Sequence, residues 1–333
     1  MKRCCVLAIC LLLLTVLWPT PARAAGGDVE NRVLTADGEW APVRDAMPGE
    51  TLFCRSAVTL RRGGAYTLRG LLSPGLSFGA VTELRLDGET VNASYYTIST
   101  AYQEPGCAFT VHLAEGFAPD SGGELTLLYT LQLNDSAAGE AGDAASLTVT
   151  DARSRLQSGE AALIVSRGLT VYRGVLLPEN NGASNPVFGA CLSLYRDAAR
   201  KDRVAFRERE EDVYLACAGE ACAHTRHAYV VRTPTNGRLR LEGLPAGTYY
   251  LAETRPPEGM TESAEPVEVT ISTDGEILAG GVECPEGVVP LLHTPADVTE
   301  GRAPDPLAFY RIGSRVLALA LSLLVAGRRY YFN

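Results

Sequence analysis

Hydrophobic and polar residues alternate with a period of two along most of this chain. Successive side chains of a strand point to opposite faces, so runs of this kind read as half-buried β-strands. Between residues 28 and 168 the runs are TLFCRSAVTL, AYTLRGLL, TELRLDGETV, CAFTVHL and ELTLLYTLQLN, separated by Gly, Pro, Asn and Asp. A second set starts at 169: GLTVYRGVLL, GACLSLYRD, DVYLACA, AYVVRT, GRLRLEGL, GTYYLAET and EPVEVTIS. Outside the two chain ends, no stretch of helical period exceeds two turns. Short strands at such spacing predict antiparallel sandwiches. The expectation is an all-β chain with two tandem β-sandwich domains, 25–168 and 169–296, joined near SRGLT (166–170). The charged stretch DAARKDRVAFREREED interrupts the second set and reads as a long exposed loop or a short helix.

The ends have a different pattern. Lys2 and Arg3, the apolar run Cys5–Leu17 and the small-residue site Ala22-Arg23-Ala24 read as a secretory signal peptide, residues 1–24, rather than a retained anchor. At the other end, 297–306 reads as a linker. Residues 307–333 read as a transmembrane anchor with a basic tail: an apolar run over 307–327, then Arg328 and Arg329. Arg311 and Arg315 lie in its outer third, where snorkelling accommodates them; a buried or amphipathic helix is the alternative.

Cleavage after Ala24 would remove Lys2, Arg3 and Arg23 but no acid, leaving 27 basic against 39 acidic residues, a net charge of about −12. That balance argues against nucleic acid as a partner. Lysine occurs only at Lys2 and Lys201, so the exported chain keeps one side-chain amine. Six cysteines remain, Cys54, Cys107, Cys191, Cys217, Cys222 and Cys284, an even number that permits disulfides in an exported chain. Cys54 with Cys107 is the favoured pairing. The connectivity is not readable from the sequence.

One strand carries an anomaly. In LEGLPAGTYYLAETRPPEGM (241–260), Tyr249, Leu251 and Glu253 share a face that reads as the core face, which places a carboxylate among apolar residues.

The same stretch, taken with GACLSLYRD, TPTNGRLRLEGLPAG, EPVEVTIS and LLHTP, closely resembles the SpaA-type prealbumin-like (collagen-adhesin B-like) module of Gram-positive surface proteins and pilins, over roughly 169–296. YTLRGLLSPGLSF, LRLDGETV, CAFTVHL and LTLLYTLQLNDSAAGE look like the fimbrial isopeptide-forming domain that often precedes it. The resemblance implies a Gram-positive cell-surface protein of pilin or adhesin type, mechanical and adhesive rather than catalytic. Its implied partners are a host or matrix ligand, other pilin subunits and, through the C-terminal helix, the plasma membrane.

Members of such families often form a Lys–Asn amide bond beside a buried acid. Burial lowers the lysine pKa and raises that of the acid, so a neutral amine attacks the carboxamide while the acid shuttles protons. In the second module Glu253 matches the acid, but Arg173 stands at the lysine position and His293 at the asparagine position. A guanidinium stays charged and is a poor nucleophile. No bond is expected there. Glu253 is then neutral and hydrogen-bonded, paired with Arg173, or at a strand end reaching solvent. In the first module the family's aspartate aligns with Gly70 and its asparagine with Ala145, and the module has no lysine. A Cys54–Cys107 disulfide would stiffen that sandwich instead. The sorting signal departs from pattern as well: APDPL (303–307) has no Thr-Gly for a sortase to cleave, which favours membrane retention over wall attachment.

CAGEACAHTRH (217–227) brings Cys217, Cys222, His224 and His227 within eleven residues. Such ligands could hold zinc in a surface receptor built on the 196–227 insertion; alternatively, Cys217 and Cys222 bridge a hairpin. No cofactor is expected. No nucleophile–base arrangement is visible, and His112 falls in a strand pattern, so the chain reads as a non-enzyme.

Overall fold

A computed structural model describes residues 29–62, 64–100, 106–118, 120–176, 184–218, 228–260 and 265–293. The expected signal peptide, linker and membrane anchor lie outside the described residues. The chain divides into two compact units: Met1–Ala46 with Glu50–Val165, and Met47–Gly49 with Ser166–Asn333. Among the described residues both are built from strands and short 3-10 turns, with no α-helix.

The first unit contains β1 (Val29–Leu34), β2 (Trp40–Ala41), β3 (Val43–Asp45), β4 (Thr51–Leu60), β5 (Tyr66–Leu72), β6 (Leu76–Leu86) and β7 (Glu89–Thr90). It continues with β8 (Tyr96–Ser99), β9 (Cys107–Leu113), β10 (Gly123–Leu133), β11 (Asp143–Asp151), β12 (Leu156–Gln157) and β13 (Ala162–Val165). One sheet runs β2-β1-β4-β10-β6-β7; the other runs β3-β13-β11-β5-β9-β8, with β12 on β11. The alternation in the sequence is what closes them on each other. Leu52, Cys54, Ser56, Val58 and Leu60 of β4 and Leu125, Leu127, Tyr129, Leu131 and Leu133 of β10 are all buried, with more exposed residues between them. They form a single core with Phe109, Val111 and Leu113 of β9 and Ala145, Leu147 and Val149 of β11. Each fully buried Leu or Val contributes about 1.5–3 kcal/mol by leaving water. The Phe109 ring stacks on Phe78 of the facing sheet at 4.4 Å and tilts against Tyr129 at 5.3 Å.

The second unit contains β14 (Arg167–Leu176), β15 (Ser184–Pro186), β16 (Cys191–Tyr195), β17 (Ala205–Glu210), β18 (Val213–Cys217) and β19 (Val231–Arg232). After these come β20 (Arg238–Leu244), β21 (Gly247–Arg255), β22 (Val267–Ile271), β23 (Ile277–Ala279), β24 (Val282–Glu283) and β25 (Val288–His293). Its sheets are β15-β14-β20-β18-β17, with β25 pairing β14, and β19-β16-β21-β22-β23-β24. Val171, Leu239, Leu241, Leu192, Leu194, Tyr249, Leu251, Val269 and Val289 fill the space between them. The chain passes from one sheet to the other at Leu244-Pro245-Ala246. Gly243 adopts φ +76 there, a left-handed conformation that glycine supplies without strain. Pro256 and Pro257 follow the end of β21, since proline has no N–H to extend the ladder.

The charged stretch differs from its expectation. Ala205–Glu210 is a strand, paired antiparallel with β18 from Ala205↔Cys217 to Glu210↔Val213. Val204 and Phe206 bury their side chains and anchor it. The residues after Phe206 are all charged, so no apolar alternation marks the strand in the sequence. Ahead of it, the Asp197 carboxylate accepts the backbone N–H groups of Lys201 and Asp202 and fixes a turn.

Candidate functional site

Among the described residues of the second unit, an ion pair lies in the interior. Leu169, Val171, Arg173 and Val175 form the inward row of β14, and Tyr249, Leu251 and Glu253 form that of β21 in the facing sheet. The Arg173 and Glu253 side chains are 1% and 2% exposed. Arg173 donates from Nε and Nη2 to Glu253 Oε1, at 3.0 and 2.9 Å. Its Nη1 donates to the carbonyl oxygens of Leu291 in β25, at 3.0 Å, and of Gly174, at 3.3 Å. One guanidinium thus joins β14, β21 and β25. The planar, permanently charged fork of arginine can serve a carboxylate on one edge and carbonyls on the other, whereas an ammonium offers a single point. Of the three readings of Glu253, the paired one is what the structure contains.

His293 ends β25 and stands opposite Val175 in the parallel register, two rungs beyond Arg173↔Leu291. The backbone therefore places positions 173 and 293 on adjacent strands at the same end of the sandwich. Lys201 lies in the exposed turn before β17.

The expected disulfide in the first unit does not form: Cys54 and Cys107 are both free and buried. Cys54 lies in the middle of β4, between Val33 and Tyr129. Cys107 opens β9 in the other sheet and turns its thiol onto its own strand, toward the Phe109 carbonyl and the Thr110 hydroxyl. Burial pushes the Cys54 thiol up to about 12, against a smaller opposing effect of the nearby Arg44 charge. Cys191 and Cys284 are also free. Cys217 is disulfide-bonded and so has no thiolate to offer a metal. Cys222, His224 and His227, the other members of the expected zinc set, lie outside the described residues.

At the aligned positions of the first unit, Gly70 of β5 lies under the Phe109 ring, and a Cβ built there would come within 2.0 Å of Phe109 Cε1. The space an acid would occupy is taken by an aromatic ring. Ala145 is fully buried between Leu72 and Ala162. A polar group that sequence reasoning missed lies elsewhere in this core. Asn31 of β1 is buried; its amide donates to the Glu160 carbonyl at 2.9 Å. Its oxygen accepts from Ser56 Oγ at 2.7 Å and from the Leu147 N–H of β11 at 3.1 Å. The signal was present in VENRVL, where Asn31 shares an alternation face with Val29 and Val33. A second buried acid, Asp143, accepts from Ser73 Oγ and the N–H groups of Gly75 and Ala138, holding two loops together.

Residues 180–281 match the family model of SpaA, a prealbumin-like fold domain, so the second unit carries a SpaA-type domain. Three solved pilin structures match the fold over 80% of the chain. The 35 kDa C-terminal fragment of the major pilin GBS80 of Streptococcus agalactiae matches with a TM-score of 0.57 at 14% identity, over 80% of this chain and 98% of that one. The major pilin subunit BcpA of Bacillus cereus matches with a TM-score of 0.52 at 15% identity, over 80% of this chain and 69% of that one. The group B streptococcus pilus 2b backbone protein matches with a TM-score of 0.52 at 15% identity, over 80% and 97%. At these identities the likeness is one of fold. No curated protein matches the chain.

Proposed function

We propose that this chain is an exported structural protein of the Gram-positive cell surface, of pilin or adhesin type, in which ionic and hydrogen-bonded closures stand where relatives carry amide cross-links. The observation that carries the reading is the Arg173–Glu253 pair. It lies inside the second sandwich; on the resemblance drawn from the sequence, the carboxylate takes the acid position of the family motif and the guanidinium the amine position. Arginine preserves the charge and the hydrogen bonds of that site but supplies no nucleophile. In the first unit Gly70 and Ala145 leave the corresponding chemistry without reactive groups. The work assigned to the chain is to carry tension and present a surface, not to catalyse. Its partners are a host or matrix ligand and other subunits of the same kind, held without covalent polymerisation. Residues 1–24 direct export and 307–333 retain the chain in the membrane.

Fractionation of the native Gram-positive cells tests the location. Antibody labelling of intact cells, with release by detergent but not by muramidase, is the expected result. Release by muramidase alone would mean wall linkage, and an absence of surface labelling would remove the reading.

A further inference from the structure

In each unit a buried polar side chain ties one end of the described chain to the other: to the last strand in the second unit, to the segment leading into it in the first. In the second unit β14 and β25 run parallel, over six rungs from Thr170↔Val288 to Val175↔His293, and Arg173 bonds the Leu291 carbonyl in its own rung. In the first unit the Asn31 amide of β1 bonds the Glu160 carbonyl, two residues before β13. Gly159 lies so close that a Cβ there would come within 1.6 Å of the Val29 carbonyl oxygen.

The direction of the strands gives these contacts a mechanical meaning. The chain enters β14 at Arg167 and leaves β25 at His293. In a parallel pair those two ends lie at opposite ends of the ladder. Tension along the chain therefore loads all six rungs at once, in shear, rather than opening them one by one from an end. The closure that reinforces them is a charge-assisted hydrogen bond from Arg173 to the Leu291 carbonyl, and what tension separates can form again when it is relaxed.

We infer that the second unit is a reversibly extensible element that bears tension in shear across β14 and β25, with Arg173 as its clasp. This rests on the proposed structural role of the chain at the cell surface. Relatives closed by an amide bond would be locked, whereas this unit yields and recovers. Asn31 gives the first unit the same kind of noncovalent closure.

The test stretches the whole exported chain, tagged at its two ends, in optical tweezers under reducing conditions. Each unit is expected to give one cooperative extension that recurs after relaxation. The second unit, freed from Arg167 to His293, should contribute roughly 400 Å of contour. Arg173→Gln is expected to shorten the lifetime of that unit at constant force at least tenfold and leave the other event unchanged. Should the variant fail to fold, the direction of pulling serves instead. Wild-type protein held through handles at Asn236 and Asp274 should yield at least tenfold faster than when pulled from its ends. A unit that does not extend before the tether breaks, or lifetimes indifferent to both Arg173 and direction, would overturn the inference. Surface labelling of intact cells fails or succeeds independently, so the two results are separable.

Discussion

Glu253→Leu is the sharpest probe of the interior pair. The substitution removes the counter-charge from a guanidinium that is 1% exposed and cannot lose its proton. Breaking one partner of a buried ion pair costs about 3–5 kcal/mol, because the remaining charge stays desolvated. Replacing both partners, as in Arg173→Met with Glu253→Leu, removes the uncompensated charge. What is then lost is mainly the bond to the Leu291 carbonyl, about 1–2 kcal/mol. The double variant should be the more stable of the two by about 2 kcal/mol. Two units require two signals, since one unfolding free energy is not defined for the chain as a whole. In protein lacking residues 1–24, Trp40 is the only tryptophan and lies in the first unit, so its fluorescence is an internal control. Hydrogen exchange of peptides from β14 and β21 in graded urea reports on the second unit. With a urea slope of about 2 kcal/mol/M, the single variant should lower the midpoint of those peptides by about 2 M and leave the Trp40 transition in place. A double variant as damaged as the single one, with no coupling between the two positions, would refute the reasoning.

Other outcomes concern the first unit and the cross-linking positions of the second. Gly70→Ala should destabilise the first unit by about 2 kcal/mol or more, read from the Trp40 midpoint, because the Phe109 ring must leave its place between the sheets. Asn31→Leu should cost about 2–4 kcal/mol in the same assay by stripping the Leu147 N–H and the Glu160 carbonyl of their partner. The Cys54 thiol, pushed from 9.0 up to about 12, gives a signed pH dependence. The unfolded chain releases that proton near pH 9 while the folded one keeps it. The contribution of Cys54 to stability is therefore constant below about pH 9 and falls by about 1.4 kcal/mol per pH unit between about pH 9 and 12. Cys54→Ala should flatten the Trp40 urea midpoint against pH between about pH 9 and 10, below the range where Tyr129 and Tyr66, also raised from 10.0 by burial, add a fall of the same sign. If positions 173 and 293 are cross-linking positions, Arg173→Lys combined with His293→Asn should supply the amine and the carboxamide, and peptide mapping should then find the two introduced side chains joined with loss of one ammonia.

How much of this was legible in the sequence differs from residue to residue. The strict alternation of β4 and β10 announced strands with one buried face, and the same period placed Glu253 in the inward row of β21. The SpaA-type turn around Gly243 and Gly247 was equally plain, since it depends on local chemistry. β17 was hidden because its residues after Phe206 are all charged; what makes it a strand is pairing with β18, which is not a local property. Cysteine parity suggested a Cys54–Cys107 bridge, but parity ignores which strand and which direction each thiol takes. The bond from Arg173 to the Leu291 carbonyl depends on β25 lying parallel to β14 from 118 residues away, and no periodicity encodes that. Asn31 was visible as a polar residue on an apolar face; its partners, in the neighbouring strand, another sheet and a distant loop, were not.

The central claim is that this sandwich is closed by a charge pair and hydrogen bonds instead of by an amide. Intact mass of the purified chain, followed by peptide mapping of the region around Lys201, tests it most directly. The account predicts a mass with no ammonia lost and Lys201 recovered as a free amine, with Arg173, Glu253 and His293 in unmodified peptides. A peptide in which Lys201 is joined to an asparagine or aspartate side chain would contradict it.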